Sequence, residues 1–151
     1  PRSISRSTVE RTPLTRFVAR AVERVETTFP EADVAVSGVN GVEVVADTNL
    51  DVALAELLEY AVRAQDTDPR VSLTVADRPP ERVVIDVRYD GQPVPQDDRR
   101  VLKDGVETPL QHCRGLGLWL AKWVVENAHG RLDFPKGAES SIRIELYRCL
   151  A

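Results

Sequence analysis

Gly115-Leu116-Gly117-Leu118-Trp119-Leu120-Ala121-Lys122-Trp123-Val124-Val125-Glu126-Asn127-Ala128-His129-Gly130 is the stretch on which the fold of this chain turns. Two glycines alternating with leucines lead into about four turns of helical pattern. Leu116, Leu120 and Val124 recur at i, i+4 and i+8. Leu118, Ala121 and Val125 widen that stripe until most of the circumference is apolar, as in a helix buried on nearly all sides. Gly130 stands where a C-cap is expected. A helix entered through glycines presents backbone N–H groups with no Cβ to hold a ligand away, and its aligned peptide dipoles favour phosphate at that end. The same glycines also serve close packing or a sharp turn, which is the commoner use of an isolated Gly-x-Gly.

Around this stretch, 151 residues with 42% hydrophobic content suffice for one globular domain with an ordinary core. No apolar run approaches the ~18 residues a membrane span needs, and nothing resembles a signal peptide. The expectation is a soluble, cytoplasmic segment without membrane contact. The chain begins at Pro1 and contains no methionine, which points to a piece of something longer with an upstream partner segment. Acidic residues number 24 against 20 basic, a net charge of −4. That balance argues against a nucleic-acid partner, whose phosphates need a basic surface. Lys103, Lys122 and Lys136 are the only lysines, so arginine carries nearly all the positive charge, a bias suited to a high-GC genome or a high-salt organism. Cys113 and Cys149 have neither metal-ligand nor Cys-x-x-Cys spacing and read as reduced, structural thiols.

Upstream, residues 1–12 are polar and basic, a frayed lead-in from a missing segment. From about Pro13 to Phe29, Leu14, Phe17, Val18, Ala21, Val22 and Val25 recur at helical spacing until Pro30 ends the pattern. Ala32 to Ser37 and Val42 to Ala46 flank Gly38-Val39-Asn40-Gly41 and read as a hairpin. Asp47, Thr48 and Asn49 offer N-caps to a second helix, in which Leu50, Leu54, Leu57, Leu58 and Ala61 align and which ends near Gln65. Two strands follow, Val71 to Ala76 and Arg82 to Tyr89. The second sets Val83, Ile85, Val87 and Tyr89 on one face and Val84, Asp86, Arg88 and Asp90 on the other. The polar segment from Val94 to Arg114, with at most a short helix around Gln96 to Leu102, is long enough to be a lid. Arg131 to Phe134 and Ser141 to Tyr147 read as closing strands. Helices and strand pairs in this order imply a layer of helices on one face of a mixed sheet.

Three segments carry a more specific signal: Glu56-Leu57-Leu58-Glu59-Tyr60-Ala61-Val62-Arg63, Tyr89-Asp90-Gly91-Gln92-Pro93-Val94-Pro95 and Gly115-Leu116-Gly117-Leu118-Trp119-Leu120. In order and spacing they resemble the three ATP-binding boxes of the GHKL ATPases, and more narrowly those of sensor histidine kinase catalytic domains. The Gly-Leu-Gly-Leu-Trp-Leu wording is similar to kinases of halophilic archaea. The resemblance runs from about Pro13 to Tyr147. It implies the Bergerat, or histidine kinase ATPase-like, fold over residues 13–151: an α/β two-layer sandwich whose mixed, mainly antiparallel sheet carries helices on one face. It also implies ATP and Mg²⁺ as cofactors and γ-phosphoryl transfer to a histidine on a separate domain. The implied partners are an upstream dimerisation, phosphoacceptor or sensor domain and a response regulator. Residue by residue, Glu56 becomes the catalytic candidate, and Tyr60, Arg63, Tyr89, Asp90, Gly91, Arg114, Gly115, Leu116, Gly117 and Leu118 the nucleotide-binding ones.

Two of the three boxes have lost the polar anchors of the family wording. Where the family has an Asn whose amide oxygen reaches Mg²⁺, this chain has Tyr60, and a phenol is a poor neutral ligand for a hard cation; no metal ligand carries over. The family's Asp-x-Gly-x-Gly, whose Asp accepts from the adenine amino group, aligns with Tyr89, Gly91 and Pro93, and Asp90 points to the opposite face. The third box keeps Gly115 and Gly117, while a glycine common just upstream is replaced by Cys113 or Arg114. Tyr60 and Tyr89 then read as packing residues plugging an inherited pocket, and Trp119 and Trp123 as core or interface residues. His112 and His129 are the only histidines, and neither lies in an upstream dimerisation helix, so no autophosphorylation site is expected. Arg99, Arg100, Lys103 and Arg114 lie in or beside the lid, either to meet phosphates or as a solvated loop surface. The sequence therefore predicts a kinase-type domain with weak or lost ATP binding. The alternative is a pseudokinase that keeps the fold and docks a partner.

Overall fold

The computed structural model describes residues 8–96, 98–99, 114–135 and 140–148. Its strands are β1 (Val9–Pro13), β2 (Asp33–Ser37), β3 (Glu43–Asp47), β4 (Arg70–Arg78), β5 (Arg82–Tyr89), β6 (Arg131–Asp133) and β7 (Ser140–Tyr147), and its helices are α1 (Leu14–Thr28), α2 (Leu50–Arg63) and α3 (Arg114–Asn127). One seven-stranded sheet runs β1-β3-β7-β5-β4-β2, with β6 pairing β7 off that path. Every pairing is antiparallel except β2 with β4. The helices pack on one face, the two-layer arrangement the sequence predicts.

Packing follows the apolar periodicity. In β5, Val83, Ile85, Val87 and Tyr89 are buried under the helices, whereas Arg88 is exposed on the far face, where Asp86 pairs with Arg143 of β7 at 2.8 Å. The helix α2 lies between α1 and α3, and only Glu56 and Arg63 of its side chains are not fully buried. Leu54, Leu57 and Leu58 are completely enclosed, each contributing roughly 1.5–3 kcal/mol of burial free energy.

Four expectations are corrected. Residues 9–13, within and just past the expected lead-in, form β1, an edge strand registered against β3 from Val9↔Asp47 to Pro13↔Glu43. With one valine in five residues it carries little apolar signal, and backbone pairing to β3 holds it. The expected hairpin is absent: β2 pairs β4 at one edge, while β3 lies between β1 and β7. Gly38 and Gly41 do adopt positive φ (82 and 77), but the loop they shape carries the chain between distant strands. At Gly38 a Cβ would run into the Val75 carbonyl of β4, so the loop hugs the sheet there.

At the end of α3 the left-handed residue is His129 (φ 62), not Gly130. His129 N–H donates to Glu126 O and Gly130 N–H to Val125 O, both at 2.9 Å, the paired bonds of a Schellman cap. Glycine stands at 130 because a Cβ would lie 2.5 Å from Glu145 O. The helix is also less enclosed than its composition implies. Leu118, Ala121, Val124, Val125 and Ala128 are buried and Leu120 is half-buried, but Trp123 is 48% exposed. Trp119 is half-buried with the Lys122 ammonium 5.2 Å above its ring.

Candidate functional site

The helix α2 meets the end of β5 and the first turns of α3, so the three box-like segments come together. Two glycines make the approach close. A Cβ at Gly91 would fall 2.5 Å from the Ala64 carbonyl oxygen at the end of α2, and one at Gly117 would fall 2.5 Å from Glu56 Oε2. Leu118, beside Gly117, is fully buried. Arg114, Gly115 and Leu116 start α3, and their side chains lie outside the described residues. So do Arg100, Lys103, His112, Cys113 and most of the expected lid, as well as Cys149.

Tyr60 of α2 and Tyr89 at the end of β5 are 6% and 4% exposed and belong to one apolar core. The Tyr89 hydroxyl donates to the Gln92 carbonyl at 3.0 Å, folding the strand end back on itself, and Ser140 Oγ donates to the Gly91 carbonyl at 2.6 Å. Burial, reinforced by the neighbouring Tyr60, pushes the Tyr89 phenol well above the ordinary tyrosine range, and hydrogen bonding with Ser140 and the charge of Arg99 only partly oppose this. At neutral pH it is an uncharged donor engaged with the backbone. Asp90 is exposed and lines a cavity of about 380 Å³ with Asp33, Arg70 and Arg88. That cavity lies on the sheet face away from the helices, as strand alternation requires.

Glu56, the catalytic candidate, is bound. Arg24 of α1 donates from Nη2 to Glu56 Oε1 at 2.9 Å, and its Nε lies 2.8 Å from Oε2 of the buried Glu59, a charge contact rather than an aligned hydrogen bond. Arg63 is 3.4 Å from Glu59 Oε1, with its guanidinium 5.5 Å from the centroid of the Phe29 ring. Neither Arg24 nor Ser140 stood out in the sequence. The helical pattern of α1 sets Arg24 among its polar positions, and nothing local links it to a carboxylate 32 residues away. Arg99 lies beyond the end of β5, with its backbone N–H on Pro95 O at 3.0 Å. Its Nε is buried without a hydrogen-bond partner among the described residues.

A polar node braces the other end of α2. Asp47 Oδ1 accepts from the backbone and side-chain N–H groups of Asn49 at 2.8 and 3.1 Å, and its Oδ2 accepts from Asn127 of α3 at 2.6 Å. Asn49 is the N-cap of α2 but makes no side-chain cap hydrogen bond, so the expected capping is corrected to a tie in which Asp47 joins β3, α2 and α3. Among the described residues, no three His, Cys, Asp or Glu side chains converge as a metal-binding group, and no helix is long and apolar enough to cross a membrane.

The arrangement has known counterparts. The mycobacterial sensor histidine kinase MprB superposes with a TM-score of 0.74 at 22% identity, covering 93% of this chain and 97% of that one. A nucleotide-free catalytic domain of histidine kinase ThkA gives 0.76 at 18% identity, covering 93% and 98%. ThkA in complex with the response regulator TrrA gives 0.72 at 18% identity, covering 93% and 42%. At these identities the likeness is one of fold. No curated protein matches the chain. The family model for the histidine kinase-, DNA gyrase B- and HSP90-like ATPases matches residues 46–148, a span that begins at the end of β3 and takes in α2, β4, β5, α3 and the closing strands, and by that match over more than half its length the chain belongs to this ATPase family.

Proposed function

We propose that this chain is the catalytic-type domain of a cytoplasmic sensor histidine kinase-like signalling protein in which ATP binding is weak or lost. The observation that carries this reading is the pair of buried tyrosines. By the resemblance of the boxes, Tyr60 and Tyr89 take the positions of the family's metal-binding amide and adenine-reading carboxylate; both are buried in the apolar core, and the Tyr89 hydroxyl donates to the Gln92 carbonyl. An unmatched adenine donor costs on the order of 1–3 kcal/mol, and a misplaced metal ion costs a comparable amount. Together they weaken binding by roughly two to four powers of ten at ~1.4 kcal/mol per tenfold. The same observation favours a pseudokinase that works by docking. Its partner classes are an upstream dimerisation, phosphoacceptor or sensor domain and a response regulator, the latter supported by the ThkA–TrrA complex. Calorimetric titration with Mg·ATP tests the reading: the wild-type chain binds weakly or not at all, and Tyr60→Asn with Tyr89→Asp gains affinity. Tight Mg²⁺-dependent binding by the wild-type chain refutes it.

A further inference from the structure

Magnesium demands compact oxygen donors in near-octahedral geometry and releases its water reluctantly. The residues on α2 do not meet that demand. Tyr60 brings a neutral phenol on a ring that is 6% exposed. One turn earlier, Glu56 already holds a cation, with Arg24 Nη2 2.9 Å from its Oε1, and its other oxygen is pressed against Gly117. Glu59 is 5% exposed at its side chain and is shared between Arg24 at 2.8 Å and Arg63 at 3.4 Å. Two carboxylates and two guanidinium groups thus cancel before any metal arrives. A divalent ion beside Tyr60 would stand within about a helical turn of Arg24, feeling its repulsion, while Glu56 and Glu59 are already compensated.

We propose that Arg24 is a built-in cation that takes the place of Mg²⁺ beside Glu56 on α2, so that this domain works without a metal. The proposal deepens the reading of the three boxes as a degenerate nucleotide site and rests on it. Arginine suits the role because its guanidinium stays charged at any physiological pH and its planar fork spans two acceptors. Glu56 and Glu59, three residues apart on one helix, provide those acceptors. Glu56 then serves as the counter-ion of Arg24 rather than as a base.

The test uses the full chain with Mn²⁺ as a paramagnetic stand-in, read by water-proton relaxation with and without ATP, alongside calorimetry of ATP in Mg²⁺ and in chelator. The wild-type chain and Tyr60→Asn show no protein-bound Mn²⁺, Tyr60→Asn with Arg24→Gln gains a Mn²⁺ site, and Tyr60→Asn with Arg24→Lys, which keeps the charge, does not. Any wild-type ATP affinity changes by less than about twofold between Mg²⁺ and chelator, against the tenfold or more (~1.4 kcal/mol per tenfold) of a metal-dependent site. Bound Mn²⁺ on the wild-type chain, or on Tyr60→Asn alone, overturns the inference, as does a folded Arg24→Gln double variant that gains none. Tight metal-free ATP binding would refute the proposed loss of nucleotide affinity and leave Arg24's role standing. Weak metal-dependent binding would refute Arg24's role alone, and tight metal-dependent binding would refute both.

Discussion

Replacing Gly117 by alanine puts a methyl group 2.5 Å from Glu56 Oε2, 3.4 Å from its Cδ and 3.5 Å from its Cβ. The obstacle is the far end of a flexible side chain, so Glu56 swings away and gives up its 2.9 Å bond to Arg24. A hydrogen bond to a charged group contributes about 1.5–3 kcal/mol. Against that loss, alanine is favoured over glycine within a helix by up to about 1 kcal/mol. The expected net cost in the wild-type background is about 0.5–2 kcal/mol, the difference of those two terms. With Glu56→Ala already in place the clash is gone, and Gly117→Ala stabilises by up to about 1 kcal/mol. Urea unfolding of the four chains, with m unchanged, reads the coupling from the midpoints. Equal effects of Gly117→Ala in both backgrounds would show that Glu56 is not held against α3, and the close α2–α3 approach would have to be abandoned.

Tyr89→Phe removes the donor to Gln92 and costs about 1 kcal/mol by denaturant unfolding; an unchanged midpoint would mean that bond contributes nothing. The raised Tyr89 pKa has a definite sign: the unfolded phenol ionises near the ordinary tyrosine value of 10.0, before the folded one. The stability contributed by the protonated phenol is therefore fully present below about pH 10 and is lost as pH rises beyond it, so the alkaline decline in stability, measured by unfolding at several pH values, flattens in Tyr89→Phe. Gly41→Ala costs about 1–2 kcal/mol for its left-handed backbone alone, since nothing lies within 4 Å of the added carbon. Gly38→Ala costs more, because the Val75 carbonyl also stands in the way; equal losses in thermal unfolding would contradict the passage of that loop against β4.

Much of this protein could be read along the chain. The repeat of Leu50, Leu54, Leu57, Leu58 and Ala61, the alternation through β5 and the glycine-led α3 are signals written within a dozen residues, because burial of one face imposes a period on the sequence itself. The three box-like segments supplied the fold class for the same reason: their order along the chain survives changes in side chains. Alternation also set Tyr89 toward the helices and Asp90 away from them. What the chain could not announce were relations between distant residues. Ladder bonds are made by the backbone, which every sequence shares, so the sequences of β2 and β3 did not name β4 and β7 as partners, and the sparse apolar content of β1 hid an edge strand. The left-handed cap lies at His129, and glycine at 130 answers instead to the close approach of β7. Arg24 reached Glu56 from 32 residues away, and Asn127 reached Asp47 from 80. Periodicity determined which faces are buried; only the folded packing of α1, α2 and α3 decided which charges meet, because an ion pair depends on separation in space and leaves no period in the sequence.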